Sequence, residues 1–78
     1  MVLYVSTNKN NLLIRVGNMP AIKKMVITIY DTQGRAVSSR VEKYEDITLD
    51  ISSLASGTYL VKVQSQDGSE QSVNRFIK

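Results

Sequence analysis

The side chains available for chemistry are seven carboxylates, ten Lys and Arg, and scattered hydroxyls; the chain has no His and no Cys. Those two zeros remove the commonest general base, the thiolate nucleophile and the usual zinc ligands. Asp31, Asp50 and Asp67 fall at the ends of apolar runs or in turns, where an Asp ordinarily accepts a backbone N–H. Glu45 and Asp46 are adjacent, so on a strand they face opposite ways. A glycosidase pair needs two carboxyls facing across a cleft, and this spacing builds none. No Asp-x-Asp pattern marks a calcium loop. Ser38, Ser39, Ser52, Ser53, Ser56 and Ser65 have no His partner and no Gly-x-Ser-x-Gly elbow, which leaves only a Ser–Lys dyad open by spacing. There is no Gly-rich phosphate loop: Gly17, Gly34, Gly57 and Gly68 all fall at predicted turns, where positive φ explains them. The expectation is a non-enzyme without metal or cofactor.

The elements that position these residues are strands. Nine Val, seven Ile and five Thr stand against three Ala, and no stretch carries apolar residues at helical spacing. Polar breaks recur at short intervals: Asn8 to Asn11, Gly17 to Pro20, Asp31 to Gly34, Lys43 to Asp46, Ser52 to Gly57, and Asp67-Gly68. Asp31 and Gly34 suit the first and last positions of a type I turn, and Asp67-Gly68 reads as a tight hairpin. Six breaks leave seven strands, near Val2–Thr7, Leu12–Val16, Met25–Asp31, Arg35–Glu42, Ile47–Ile51, Thr58–Ser65 and Gln71–Lys78. Alternation is clean at Leu12, Ile14, Val16; at Ile47, Leu49, Ile51; and at Tyr59, Val61, Val63. Each strand is thus expected to have one buried face, which gives an all-β, seven-stranded antiparallel immunoglobulin-like sandwich. A six-stranded barrel is the alternative architecture. Tyr59, opening the sixth strand just after a compact connection, sits where a tyrosine corner belongs, its hydroxyl bonding back to upstream backbone.

At 78 residues and 42% apolar composition this is one small domain with a thin core. The +3 charge is scattered, with only Lys23 and Lys24 adjacent. Nucleic-acid binders concentrate such charge and interleave aromatics, so no nucleic-acid partner is expected. No apolar run is long enough for a transmembrane helix, and no signal peptide is visible. An exported protein would then carry its signal upstream, with residues 1–78 a piece of a longer chain. The final segment, Gln71 to Lys78, ends without a polar tail. Such a strand is either simply the last of the fold or a surface that a partner strand reads. Unpaired edge strands also allow a weak homodimer.

The motif order resembles a known family. Ile27-Thr28-Ile29-Tyr30-Asp31-Thr32-Gln33-Gly34-Arg35-Ala36-Val37 is similar to its "v-x-i-y-d-x-x-G-r-x-v" hairpin. The run Leu49 to Val63, with Leu54, Ser56, Gly57, Tyr59, Val61 and Val63, is similar to its "l-d-i-s-x-l-x-s-G-x-Y-x-v-x-v" block. Asp67-Gly68 followed by Arg75-Phe76-Ile77-Lys78 is similar to its closing "d-G … k-f-x-k". The family is the type A C-terminal sorting domain of type IX secretion system cargo proteins of Bacteroidetes, and the resemblance runs from about Leu12 to Lys78. It implies an address label at the end of an exported cargo, with the type IX outer-membrane translocon and a surface sortase-like protease as partners. It also implies passage through the periplasm to the outer-membrane surface or the medium, with cleavage and attachment to lipopolysaccharide. Carried over as signal residues are Asp31, Gly34, Arg35, Gly57, Tyr59, Val61, Val63, Gly68, Arg75, Phe76, Ile77 and Lys78. The competing readings are an immunoglobulin- or fibronectin-like spacer or adhesion module, which shares the fold. A carbohydrate-binding module is a third, and it would need an aromatic platform from Tyr4, Tyr30 and Tyr44.

Overall fold

Among the described residues seven strands form, in chain order β1 Leu3–Asn8, β2 Asn11–Val16, β3 Lys24–Tyr30, β4 Ala36–Lys43, β5 Ile47–Asp50, β6 Thr58–Ser65 and β7 Gln71–Ile77. The computed structural model describes residues 3–17 and 22–78, so the expected start at Val2 and the Asn18-Met19-Pro20 break lie outside the described residues. Every strand begins and ends within a residue of its expected bounds where these can be compared. Pairing is antiparallel throughout, in a three-stranded sheet ordered β1-β2-β5 and a four-stranded sheet ordered β4-β3-β6-β7. Two separate sheets make a sandwich and dispose of the barrel.

Alternation builds the core. Leu12 and Ile14 of β2 and Leu49 of β5, with Ile51 just beyond it, face Met25, Ile27 and Ile29 of β3. Tyr59, Val61 and Val63 of β6 and Phe76 of β7 complete the layer. The register keeps these on one side: Ile27 stands opposite Val63, Ile29 opposite Val61, and Tyr59 opposite Phe76. Direct antiparallel partners share a face, so each such pair places two apolar side chains together.

β4 departs from the expectation of one buried face per strand. Seven of its eight residues are exposed and only Glu42 is half-buried. The cause is geometric: four strands lie over three, and among the described residues no strand of the smaller sheet lies beneath the outermost strand of the wider one. The fourth strand of a constant-type immunoglobulin domain lies beside the fifth; here it has crossed to the sheet of β3, β6 and β7.

Two hairpin loops are built on one plan. In the β3–β4 loop the N–H of Gly34 donates to Asp31 O at 3.1 Å, the hydrogen bond expected of the type I turn. In the β6–β7 loop the N–H of Gly68 donates to Ser65 O at 2.9 Å, and the N–H of Ser65 donates to Glu70 O at 2.8 Å. Asp67 and Gly68 therefore lie inside a four-residue loop, wider than the two-residue hairpin their types suggest. The reason is Ser65, 3% exposed and the only buried polar residue among those described. Its hydroxyl donates to Asp67 Oδ1 at 2.8 Å and accepts the N–H of Glu70 at 2.9 Å, which holds the loop open around it.

Candidate functional site

The strand directions bring four segments to one end of the sandwich: the β1–β2 turn, the β3–β4 loop, the connection from β5 to β6, and the chain's last residue. Asp31 organises the first loop it enters. Its Oδ1 accepts the backbone N–H groups of Gln33 and Arg35, both at 2.9 Å, and its Oδ2 accepts Arg35 Nε at 2.8 Å. These bonds, chiefly the Arg35 backbone N–H, hold the Asp31 carboxyl below its ordinary range. The Arg35 side chain is 75% exposed, so the pair shapes the loop more than it stabilises the fold.

The β5–β6 connection is closed from two sides. Asp50 Oδ1 accepts the Ser52 N–H at 2.8 Å, and hydrogen bonds from Ser52, with the nearby charge of Lys78, lower the Asp50 pKa. The Tyr59 hydroxyl donates to Ala55 O at 2.7 Å, which is the tyrosine corner read from the sequence. Its ring stacks on Phe76 with centroids 5.5 Å apart and planes at 19°. Gly57, between them, has φ +154°, a backbone that an L side chain rarely adopts.

Lys78 ties the end of the chain into this corner. Its backbone N–H donates to Gly57 O at 2.8 Å and its carbonyl accepts the Gly57 N–H at 3.2 Å, extending the β6–β7 ladder by one pair. Its ammonium donates to Ser52 O at 3.1 Å and to Leu54 O. An ammonium has three donors and no acceptor, so it can satisfy several carbonyls that a turn leaves unpaired. Beside β7, the hydroxyl of Thr7 approaches Ile77 O at 3.4 Å. A shallow depression of about 420 Å³ opens between the β3–β4 loop and this corner, lined by Asp31, Arg35, Ser56, Gly57, Thr58 and Tyr59 among others.

Of the twelve expected signal residues, Asp31, Gly34, Arg35, Gly57, Tyr59, Phe76, Ile77 and Lys78 converge at this end. Gly68 does not: it lies at the opposite end of β7, roughly 20 Å away for a strand of that length. Val61 and Val63 are fully buried, and Tyr59 and Phe76 nearly so, so these four act through packing. Arg75 lies on the exposed outer face of β7, and Ile77 is 63% exposed. Lys78 reaches Ser52 through the carbonyl rather than the hydroxyl, so the dyad left open by spacing is not formed by this pair. Tyr4 and Tyr30 point outward from different sheets and Tyr44 is half-buried against the core, so the three tyrosines share no platform. Among the described residues no group of three or more acidic residues is placed to hold a metal ion. The three carboxylates with lowered pKa, Asp31, Asp50 and Asp67, each accept backbone N–H groups within a turn. This end of the sandwich thus carries a shaped loop, the exposed Ile77 and a Lys78 paired to Gly57.

Residues 3–78 match the family model described as the secretion system C-terminal sorting domain. The chain belongs to this type IX sorting-domain family. The crystal structure of a protein with an immunoglobulin-like β-sandwich fold from Bacteroides vulgatus superposes with a TM-score of 0.79. The two are 21% identical over 97% of this chain and 82% of the other, which speaks for the fold alone. No curated protein matches the chain. Sorting domains and immunoglobulin-like sandwiches are non-catalytic kinds of domain, and family membership implies export toward the cell surface or secretion. No helix among the described residues is long and apolar enough to cross a membrane.

The sequence does not reveal what Lys78 binds. Its acceptors are the carbonyls of Ser52 and Leu54, and a carbonyl is common to every residue type. Ser65 carried a legible signal, since it continues the inward parity of Tyr59, Val61 and Val63.

Proposed function

We propose that this domain is the signal by which an N-terminally attached cargo is taken through the type IX outer-membrane translocon to the cell surface. There a sortase-like protease removes the domain and the cargo is joined to lipopolysaccharide. The readable surface is the end of the sandwich where the Asp31–Arg35 loop, the Gly57 corner and the last strand meet. One observation carries the assignment to this end: Lys78 is held by a backbone pair to Gly57 and by its ammonium on Ser52 O and Leu54 O. Here the anchoring gives the exposed Ile77 and the outward Arg75 a defined position.

The test is export of a periplasm-directed fluorescent protein fused to residues 1–78, in a bacterium with a working type IX system. Surface and medium fluorescence are expected to vanish in a translocon mutant and in a fusion lacking Gln71–Lys78. A Lys78→Met fusion separates signal from fold: it is expected to remain folded and to export less. An intact, folded fusion that stays in the periplasm overturns the reading and leaves the spacer or adhesion module in its place.

A further inference from the structure

The edge of the four-stranded sheet formed by β4 is eight residues long and, among the described residues, has a strand neighbour on one side only. The other sheet edges are less open. β5 spans four residues, and β1 and β7 lie alongside each other, with the Thr7 hydroxyl approaching Ile77 O. A long open edge presents unpaired N–H and C=O groups and pairs with another strand unless its side chains prevent it. The side chains of β4 do not repel a copy of themselves. Arg40 and Glu42 project on the same side as the core residues, opposite Ile27 and Met25, but overhang the smaller sheet and remain accessible. They already pair within the strand, Nη2 to Oε1 at 2.8 Å. Val41, between them, faces the outer side beside Val26 and is 54% exposed.

We infer that β4 is a self-association edge whose occupant is a second copy of this chain, paired antiparallel about a two-fold axis at Val41. A two-fold perpendicular to the sheet pairs residues of the same face, so the two residue numbers sum to an even value. Centring on Val41 places Arg40 of each copy opposite Glu42 of the other, twice by symmetry. It also sets Val41 against its equivalent, making a row of four valines with the two Val26 side chains. Ser39 then faces Lys43, so no like charges stand opposite one another along the strand. Centring on Arg40 instead stacks two guanidinium groups, which is why the register is specified. The result is a continuous eight-stranded sheet that leaves the Lys78 end of each sandwich uncovered. A contact of one strand per copy is small, so the dimer is weak and concentration-dependent.

Sedimentation equilibrium over a concentration series tests this with the full chain. The unmodified protein is expected to move toward twice the monomer mass. R40E and E42R, each alone, turn two attractive pairs per dimer into two repulsive ones and weaken association roughly tenfold or more. An equimolar mixture of R40E and E42R restores it as a heterodimer, and the double swap R40E/E42R restores self-association. Arg40 is exposed and Glu42 only half-buried, so the variants are expected to fold, and the mixture controls for this directly. A chain that stays monomeric throughout overturns the inference. So do single variants that associate like the parent, or a mixture that fails to recover.

Discussion

Replacing Tyr59 with Phe removes one oxygen and leaves the buried ring, its stacking on Phe76 and the backbone register unchanged. The lost bond is short, 2.7 Å, and part-buried, with Ala55 O as acceptor. A neutral hydrogen bond contributes about 1 kcal/mol net, and stranding a buried acceptor costs up to about 3. Ala55 is exposed, so its carbonyl regains water in the variant and the expected loss is at the lower end, about 1–1.5 kcal/mol. For a domain this small that corresponds to a fall in Tm of roughly 5–10 °C. Equilibrium urea unfolding followed by circular dichroism reads it as a lower midpoint with an unchanged slope. Because Lys78 holds the carbonyls of Ser52 and Leu54 in the same connection, the cycle with Lys78→Met is expected to show coupling of about 0.5 kcal/mol or more. A Tyr59→Phe variant as stable as the parent within about 0.3 kcal/mol would refute the corner as a structural tie, since additive error is of that size.

Three further outcomes follow from the same structure. Asp67 has a pKa of about 2 against an ordinary 3.8, because the Ser69 N–H and the Ser69 and Ser65 hydroxyls all favour its charged form. A depressed carboxylate stabilises the fold fully above its unfolded pKa, so stability falls as pH drops from roughly 4 to 2. Asp67→Asn is expected to be less stable than the parent at neutral pH and to converge with it near pH 2 in urea midpoints. Lys9 occupies φ +54° in the β1–β2 turn, so Lys9→Gly is expected to raise the unfolding midpoint by about 1 kcal/mol in free energy. Ile27, 1% exposed at the centre of β3, loses packing and leaves a cavity as Ala, at about 2–4 kcal/mol. On a chain of this length that removes a large share of the total, and calorimetry should show a low, broad transition.

The alternation of β2, β5 and β6 was legible because a strand writes its buried face into every second residue, and that code is local. The same applies to the Asp31–Gly34 turn and to the tyrosine at the start of the sixth strand, where residue type and neighbours suffice. Family membership was legible for the related reason that ordered blocks of such residues recur at set spacing. Tertiary structure alone decided the rest. β4 turns Arg40 and Glu42, not an apolar row, toward the core side and Val41 to the outer side, and the opposing sheet ends before reaching it. Lys78 was singled out by the family resemblance, but its contacts lie with carbonyls 24 and 26 residues away that the sequence does not point to. Gly68 and Lys78 close the same motif in sequence but lie at opposite ends of a strand. Sequence pattern specifies which way a side chain points; what it meets there depends on how far the other sheet extends.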